Sequence, residues 1–120
     1  MGGKEVIVVT GATGHIGNVL LRELIARGQV VRALVLPNDD LHPITSLDVE
    51  IVYGDVTDIA SLKTAFAGAD LVFHLAGIVT IVPGMARLLE RVNVGGMRNV
   101  TIACRATDVR RLVYTSSIHA

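Results

Sequence analysis

Cysteine is nearly absent from this 120-residue sequence. The single one, Cys104, excludes an internal disulfide and a zinc site built from cysteines. A basic excess is missing too: eleven Lys+Arg offset eleven Asp+Glu, giving a formal net charge of zero and a pI near 6.9. Binding driven by phosphate neutralisation normally needs that excess, so a nucleic-acid partner is not expected. Charged residues are scarce at 18% while hydrophobic ones reach 51%, which excludes a disordered chain. Long apolar runs are also lacking. The longest, residues 71–82, is interrupted by His74 and Thr80 and is too short to span a bilayer, so no membrane partner is expected. The start, Met-Gly-Gly-Lys-Glu, has no signal-peptide pattern, which makes the cytoplasm the expected compartment. Val6 stands where N-myristoylation wants Ser or Thr. No histidine has a second ligand at metal spacing, so no metal is expected.

The length suits one domain with one core. The mean hydropathy, +0.55, is high for a small domain. Two physical sources would produce it: strands buried on both faces, or a chain that lacks part of its own cover.

Strand and helix patterns alternate. Residues 5–10 (EVIVVT) form a β-branched run ended by glycine. Residues 14–27 carry Ile16, Val19, Leu20 and Leu24 at helical spacing, and Gly28 closes that helix. A second strand is predicted over 30–36, a polar loop over 37–48 and a third strand over 49–53. Asp58 is the expected N-cap of a short helix over 59–67. A fourth strand is expected over 70–76, a long helix from about 85 to 107, and a fifth strand over 111–116. Continuous apolar runs such as VIVV and LVFHLA imply burial on both faces, the habit of parallel strands covered by helices. The pattern therefore predicts an α/β, doubly wound Rossmann-type parallel sheet in the order 3-2-1-4-5, with ligands at the switch point between strands 1 and 4.

The strongest chemical signal is Thr10-Gly11-Ala12-Thr13-Gly14-His15-Ile16-Gly17, which follows a strand and opens an amphipathic helix. Gly11 permits a tight turn, Gly14 admits a diphosphate close to the backbone, and Gly17 lets the helix approach the sheet. The anion would sit on the unsatisfied N–H groups at the positive end of the helix dipole.

The Gly-x-x-Gly-x-x-Gly spacing resembles the extended branch of the short-chain dehydrogenase/reductase superfamily, which includes NAD-dependent epimerase/dehydratase and dihydroflavonol-reductase-like proteins. Four further segments support the likeness: Tyr53-Gly54-Asp55-Val56-Thr57-Asp58, Phe73-His74-Leu75-Ala76-Gly77, Val92-Asn93-Val94-Gly95-Gly96 and Val113-Tyr114-Thr115-Ser116-Ser117. The resemblance implies NAD or NADP as cofactor. It places Gly11, Thr13, Gly14, His15, Ile16, Gly17, Asp55, Val56, Leu75, Ala76 and Gly77 at the cofactor and Ser117 as the catalytic residue, hydrogen-bonded to the reacting oxygen of a small-molecule substrate.

Several of these residues have a plainer reading. Asp55 either accepts from the adenine amino group or caps its own turn. His15 either donates to the diphosphate or is a solvated loop residue. Ser117 either binds substrate or merely finishes a strand. His74, in a buried strand, reads as a core histidine. Asn93 implies an active-site organiser by the resemblance and a local backbone ligand otherwise. Gly95 and Gly96 inside a helix cost about 1 kcal/mol each, which close packing of that helix on the sheet would offset. The choice between NAD and NADP is left open. Strand 2 ends in Val35 and Leu36, with neither the acidic residue nor the arginine that would decide it.

The Tyr-x-x-x-Lys pair of the resembled enzymes does not occur: Thr57 follows Tyr53 and Ile118 follows Tyr114 at that spacing. Residues 1–120 are therefore expected to be the cofactor-binding N-terminal part of a longer fold, truncated after strand 5 and inactive alone as an oxidoreductase, epimerase or dehydratase. The alternative is a non-catalytic NAD(P)-sensing module. An exposed edge at strand 5, and a helix face around Val92, Val100 and Cys104 without its cover, would favour self-association.

Overall fold

A computed structural model describes residues 4–75 and 94–114. The β-branched runs form five strands: β1 (Val6–Thr10), β2 (Val30–Val35), β3 (Glu50–Tyr53), β4 (Leu71–His74) and β5 (Arg111–Tyr114). All pair in parallel, in the order β3-β2-β1-β4-β5, which is the doubly wound topology expected. Among the described residues, three helices lie between them: α1 (His15–Ala26), α2 (Ile59–Phe66) and α3 (Gly96–Ala106). A 3-10 turn, His42–Ile44, interrupts the loop after β2. The ladders stop one or two residues short of the apolar runs, so Glu5, Leu36, Val49, Asp70 and Leu75 flank strands rather than join them.

Alternate side chains of the sheet feed two cores. Ile7 and Val9 point to the α1 face and pack with Leu21, Leu24, Val31, Ala33 and Val35. Val8 points the other way, into Leu34, Leu62, Phe66, Val72, Val100 and Ala103. Burial on both faces is why the strands read as continuous rather than alternating.

The helix ends follow local chemistry. Asp58 caps α2, its Oδ1 accepting from the N–H groups of Ala60 (3.1 Å) and Ser61 (3.4 Å). Gly28, at φ 79°, lets the N–H groups of Gly28 and Gln29 reach the carbonyls of Ile25 and Leu24 and so close α1. Arg32 of β2 donates to the carbonyls of Ala65 (3.0 Å) and Ala67 (2.6 Å) and pairs with Glu50 (3.1 Å). A cation there satisfies the negative end of α2.

The α3 face expected to lack cover is sealed in its described part: Val100 is 0% and Cys104 6% exposed, because α2 packs along it. Burial also pushes the Cys104 thiol up to about 11, so it is no nucleophile. Val92 lies outside the described residues. The open apolar surface is on the opposite side of the sheet, where Ile16 is 67% and Val19 56% exposed. With Phe73, Leu75 and Val113 they line a groove of about 480 Å³. The first proposed source of the high mean hydropathy, strands buried on both faces, is thus present. Among the described residues, β5 pairs only with β4 and forms an edge of the sheet. Among the described residues, no helix is long and apolar enough to cross a membrane.

Candidate functional site

The carboxyl ends of β1 and β4 meet at the switch point of the sheet, and the glycine loop leaves β1 there. Its three glycines answer three different demands. Gly11 has φ 69°, the left-handed region that a Cβ disfavours. Gly17 is buried against the loop itself: a Cβ there would lie 2.2 Å from the Gly11 carbonyl oxygen and 2.8 Å from the Ala12 Cα. Gly14 has neither constraint. Its φ of −76° and ψ of 171° suit any residue, and its Cβ would meet nothing closer than the Gly11 oxygen at 3.5 Å.

Gly14 is nevertheless the N-cap of α1, a position that favours Ser, Thr, Asp or Asn. Gly14 has no side chain with which to cap α1, and no acidic residue sits in its first turn. The first-turn N–H groups of a helix have no intrahelical partner. At α1 they belong to His15, Ile16 and Gly17, behind an exposed Gly14 that leaves the approach clear. Thr13 is half-buried, and His15 and Ile16 are exposed beside it. This cradle fits a diphosphate: backbone donors at a positive helix end, and a surface that a side chain at position 14 would fill.

After β3, the chain makes a tight turn in which the Asp58 N–H donates to the Asp55 carbonyl at 2.9 Å. Asp55 Oδ1 accepts from the N–H (2.8 Å) and the hydroxyl (2.7 Å) of Thr57. One carboxylate oxygen thus caps its own turn, and no hydrogen bond engages Oδ2 among the described residues. The capping reading of Asp55 therefore holds for Oδ1. Val56 is gripped from α3: Asn99 Nδ2 donates to its carbonyl at 2.9 Å, and Gly96 lies against its side chain. The expectation that the helix glycines pack on the sheet is corrected by this contact. Gly96 packs on the β3–α2 turn, and a Cβ on Gly95 would meet no atom within 4 Å.

His74 ends β4 and is 1% exposed. Its Nδ1 lies 2.8 Å from Thr10 Oγ1, which also accepts from the Leu75 N–H at 3.0 Å. The imidazole stacks on Tyr114, with ring centroids 5.4 Å apart. Thr10 therefore ties the start of the glycine loop to the end of β4. Burial pushes the His74 pKa down to about 4, so the ring is neutral and structural, as its position in the sequence implies. A depressed folded-state value means that only the unfolded chain takes the proton between about pH 6.5 and 4. The contribution is complete above about pH 6.5 and is lost as pH falls through that window, roughly 3 kcal/mol in all. Urea midpoints between pH 7.5 and 4 are expected to fall less steeply in His74→Asn than in the wild type. Equal slopes would assign the acid sensitivity to other groups.

At the end of β2, Val35 is buried and Leu36 exposed. The Asp39 carboxylate accepts from the Leu36 N–H (2.9 Å), and that of Asp40 from the His42 N–H (3.0 Å). Both acidic residues shape their own loop. Arg32 is committed to the end of α2.

Ala76, Gly77, Asn93 and Ser117 lie outside the described residues. Two contributors escape the sequence reading, Thr10 and Asn99. The available signal for Asn99 is its spacing: it follows Gly96 by three positions, which puts both on one helix face.

Comparison with known proteins agrees with this geometry. Residues 8–120 match the model of the 3-beta hydroxysteroid dehydrogenase/isomerase family. Sterol demethylase protein B of Methylococcus capsulatus is 42% identical over 113 residues, covering 94% of this chain and 34% of that protein. Cinnamoyl-CoA reductase 1 of Oryza sativa is 39% identical, covering 99% of this chain and 36% of that protein. Among solved structures, a short-chain dehydrogenase/reductase superfamily protein from Agrobacterium tumefaciens with bound NAD superposes with a TM-score of 0.77 at 33% identity. The match covers 93% of this chain and 32% of that one. The chain thus spans about a third of the length of these relatives. With an open glycine cradle at the switch point of a 3-2-1-4-5 sheet and a family match over nearly its whole length, the chain belongs to the 3-beta hydroxysteroid dehydrogenase/isomerase family, in the extended branch of the short-chain dehydrogenase/reductase superfamily.

Proposed function

We propose that this chain is the NAD(P)-binding portion of an oxidoreductase, epimerase or dehydratase that acts on a hydroxyl- or carbonyl-bearing small molecule. The observation that carries the reading is the uncapped N-terminus of α1 behind Gly14, a position that neither backbone strain nor packing requires to be glycine. The bound nicotinamide supplies the hydride chemistry. The residues of this chain hold and orient. First-turn N–H groups of α1 donate to the diphosphate, Asp55 Oδ2 accepts from the adenine amino group, Leu75, Ala76 and Gly77 line the cofactor, and Ser117 hydrogen-bonds the substrate oxygen. Calorimetric titration of the full-length protein with NAD and NADP tests the reading. Saturable binding of either dinucleotide supports it, and heat from neither defeats it.

Cofactor preference is open to manipulation at the end of β2. Leu36 is 40% exposed, so Leu36→Arg leaves the core untouched. Its guanidinium would meet the 2′-phosphate of NADP in a charge-assisted pair worth about 1.5–3 kcal/mol. Asp39, bonded to the Leu36 N–H, competes for that charge. The expected rise in the NADP/NAD affinity ratio is therefore at the low end, about tenfold. An unmoved ratio would show that the ribose lies elsewhere.

A further inference from the structure

We propose that Asn99 and Gly96 of α3 are positioning residues that hold the β3–α2 turn in the shape that recognises adenine; this rests on the cofactor reading above. The turn at residues 55–58 is otherwise held by its own neighbours. Asp58 N–H bonds the Asp55 carbonyl, Thr57 bonds Asp55 Oδ1, and the Asp55 N–H donates to Ser61 Oγ at 3.0 Å. Among the described residues, one hydrogen bond reaches it from a distant part of the chain: Asn99 Nδ2 to the Val56 carbonyl, 2.9 Å, across 43 positions. Gly96 supplies the second grip. It is buried, and a Cβ there would lie 2.9 Å from Val56 Cγ2 and 3.2 Å from Val56 Cβ.

The helix that carries both residues is itself fixed, because Val100, Ala103 and Cys104 are buried in the core beneath it. A turn held only by short-range bonds has several shapes of similar energy, and a bond from a fixed element selects one. The selected shape sets the Val56–Thr57 peptide, whose N–H donates to Asp55 Oδ1, and with it the direction of Oδ2. Asn99 thus acts on adenine through Asp55 without touching it.

The test compares NAD with nicotinamide hypoxanthine dinucleotide, which lacks the adenine amino group, by calorimetry on the full-length protein. The wild type is expected to favour NAD by about three- to tenfold, the worth of one hydrogen bond. In Asn99→Ala, NAD affinity falls by about that factor while the analogue is nearly unaffected, so the ratio approaches one. A general loosening of the fold would lower both affinities together and leave the ratio intact. Gly96→Ala, which displaces Val56 without removing the amide, should move the ratio in the same direction, and it decides the matter if Asn99→Ala fails to fold. Wild-type discrimination that survives in the folded variants overturns the clamp alone. A wild type that binds neither dinucleotide overturns the cofactor reading and the clamp with it.

Discussion

Gly14→Asp is expected to weaken dinucleotide binding by at least about a hundredfold while leaving the melting temperature unchanged or slightly raised. A carboxylate at the N-cap of α1 accepts the first-turn N–H groups that the diphosphate would otherwise use, and it repels the diphosphate as well. Losing two charge-assisted hydrogen bonds, at about 1.5–3 kcal/mol each, exceeds the roughly 2.7 kcal/mol that a hundredfold represents. Folding should not suffer, because Gly14 already has extended backbone and open space around its Cβ. Replacing an N-cap glycine by Asp gains a few tenths of a kcal/mol from the cap, and the helix dipole adds about 0.3–1 kcal/mol. Calorimetry and thermal melts on the same protein separate the two effects. Unchanged affinity would remove the diphosphate from α1, and a large fall in melting temperature would mean that Gly14 serves the fold.

Gly17→Ala should do the reverse. Its Cβ would lie 2.2 Å from the Gly11 oxygen and 2.8 Å from the Ala12 Cα, and both obstacles are backbone. Relief requires either α1 or the loop to shift by more than an ångström, at the top of the overpacking range, about 3 kcal/mol or more. Since marginal stability leaves a domain only about 5–15 kcal/mol, the loss should be large in urea denaturation. A midpoint within error of the wild type would contradict the close approach of α1 to the loop. The pair of substitutions divides one motif: position 14 is kept small for a ligand and position 17 for the protein.

Much of this was legible beforehand because it depends on neighbours in the sequence. The cap at Asp58 needs only the N–H groups two and three residues on, and the closure of α1 needs only Gly28 and the preceding turn. The parallel order follows from continuous apolar runs that alternate with helices, since crossover handedness leaves few arrangements. His74 was recognisable as a core residue from the strand around it.

The sequence by itself determined the α/β class, the strand order and the glycine cradle, because each rests on periodicity or on spacing within one motif; the likeness to a dinucleotide-binding superfamily came from the resemblance of five segments taken together. Only the tertiary structure decided which side of the sheet is open and which is sealed. That depends on α2 lying along α3, which buries Val100 and Cys104, while nothing among the described residues covers Ile16 and Val19. It also decided that Arg32 serves the end of α2 and that Asn99 serves the Asp55–Val56 turn. These contacts join residues 33 to 43 positions apart, and no local rule sets them. They follow from how helices of given length and side-chain volume settle on a twisted sheet, where one close contact, such as Gly96 on Val56, fixes the position of everything on that helix.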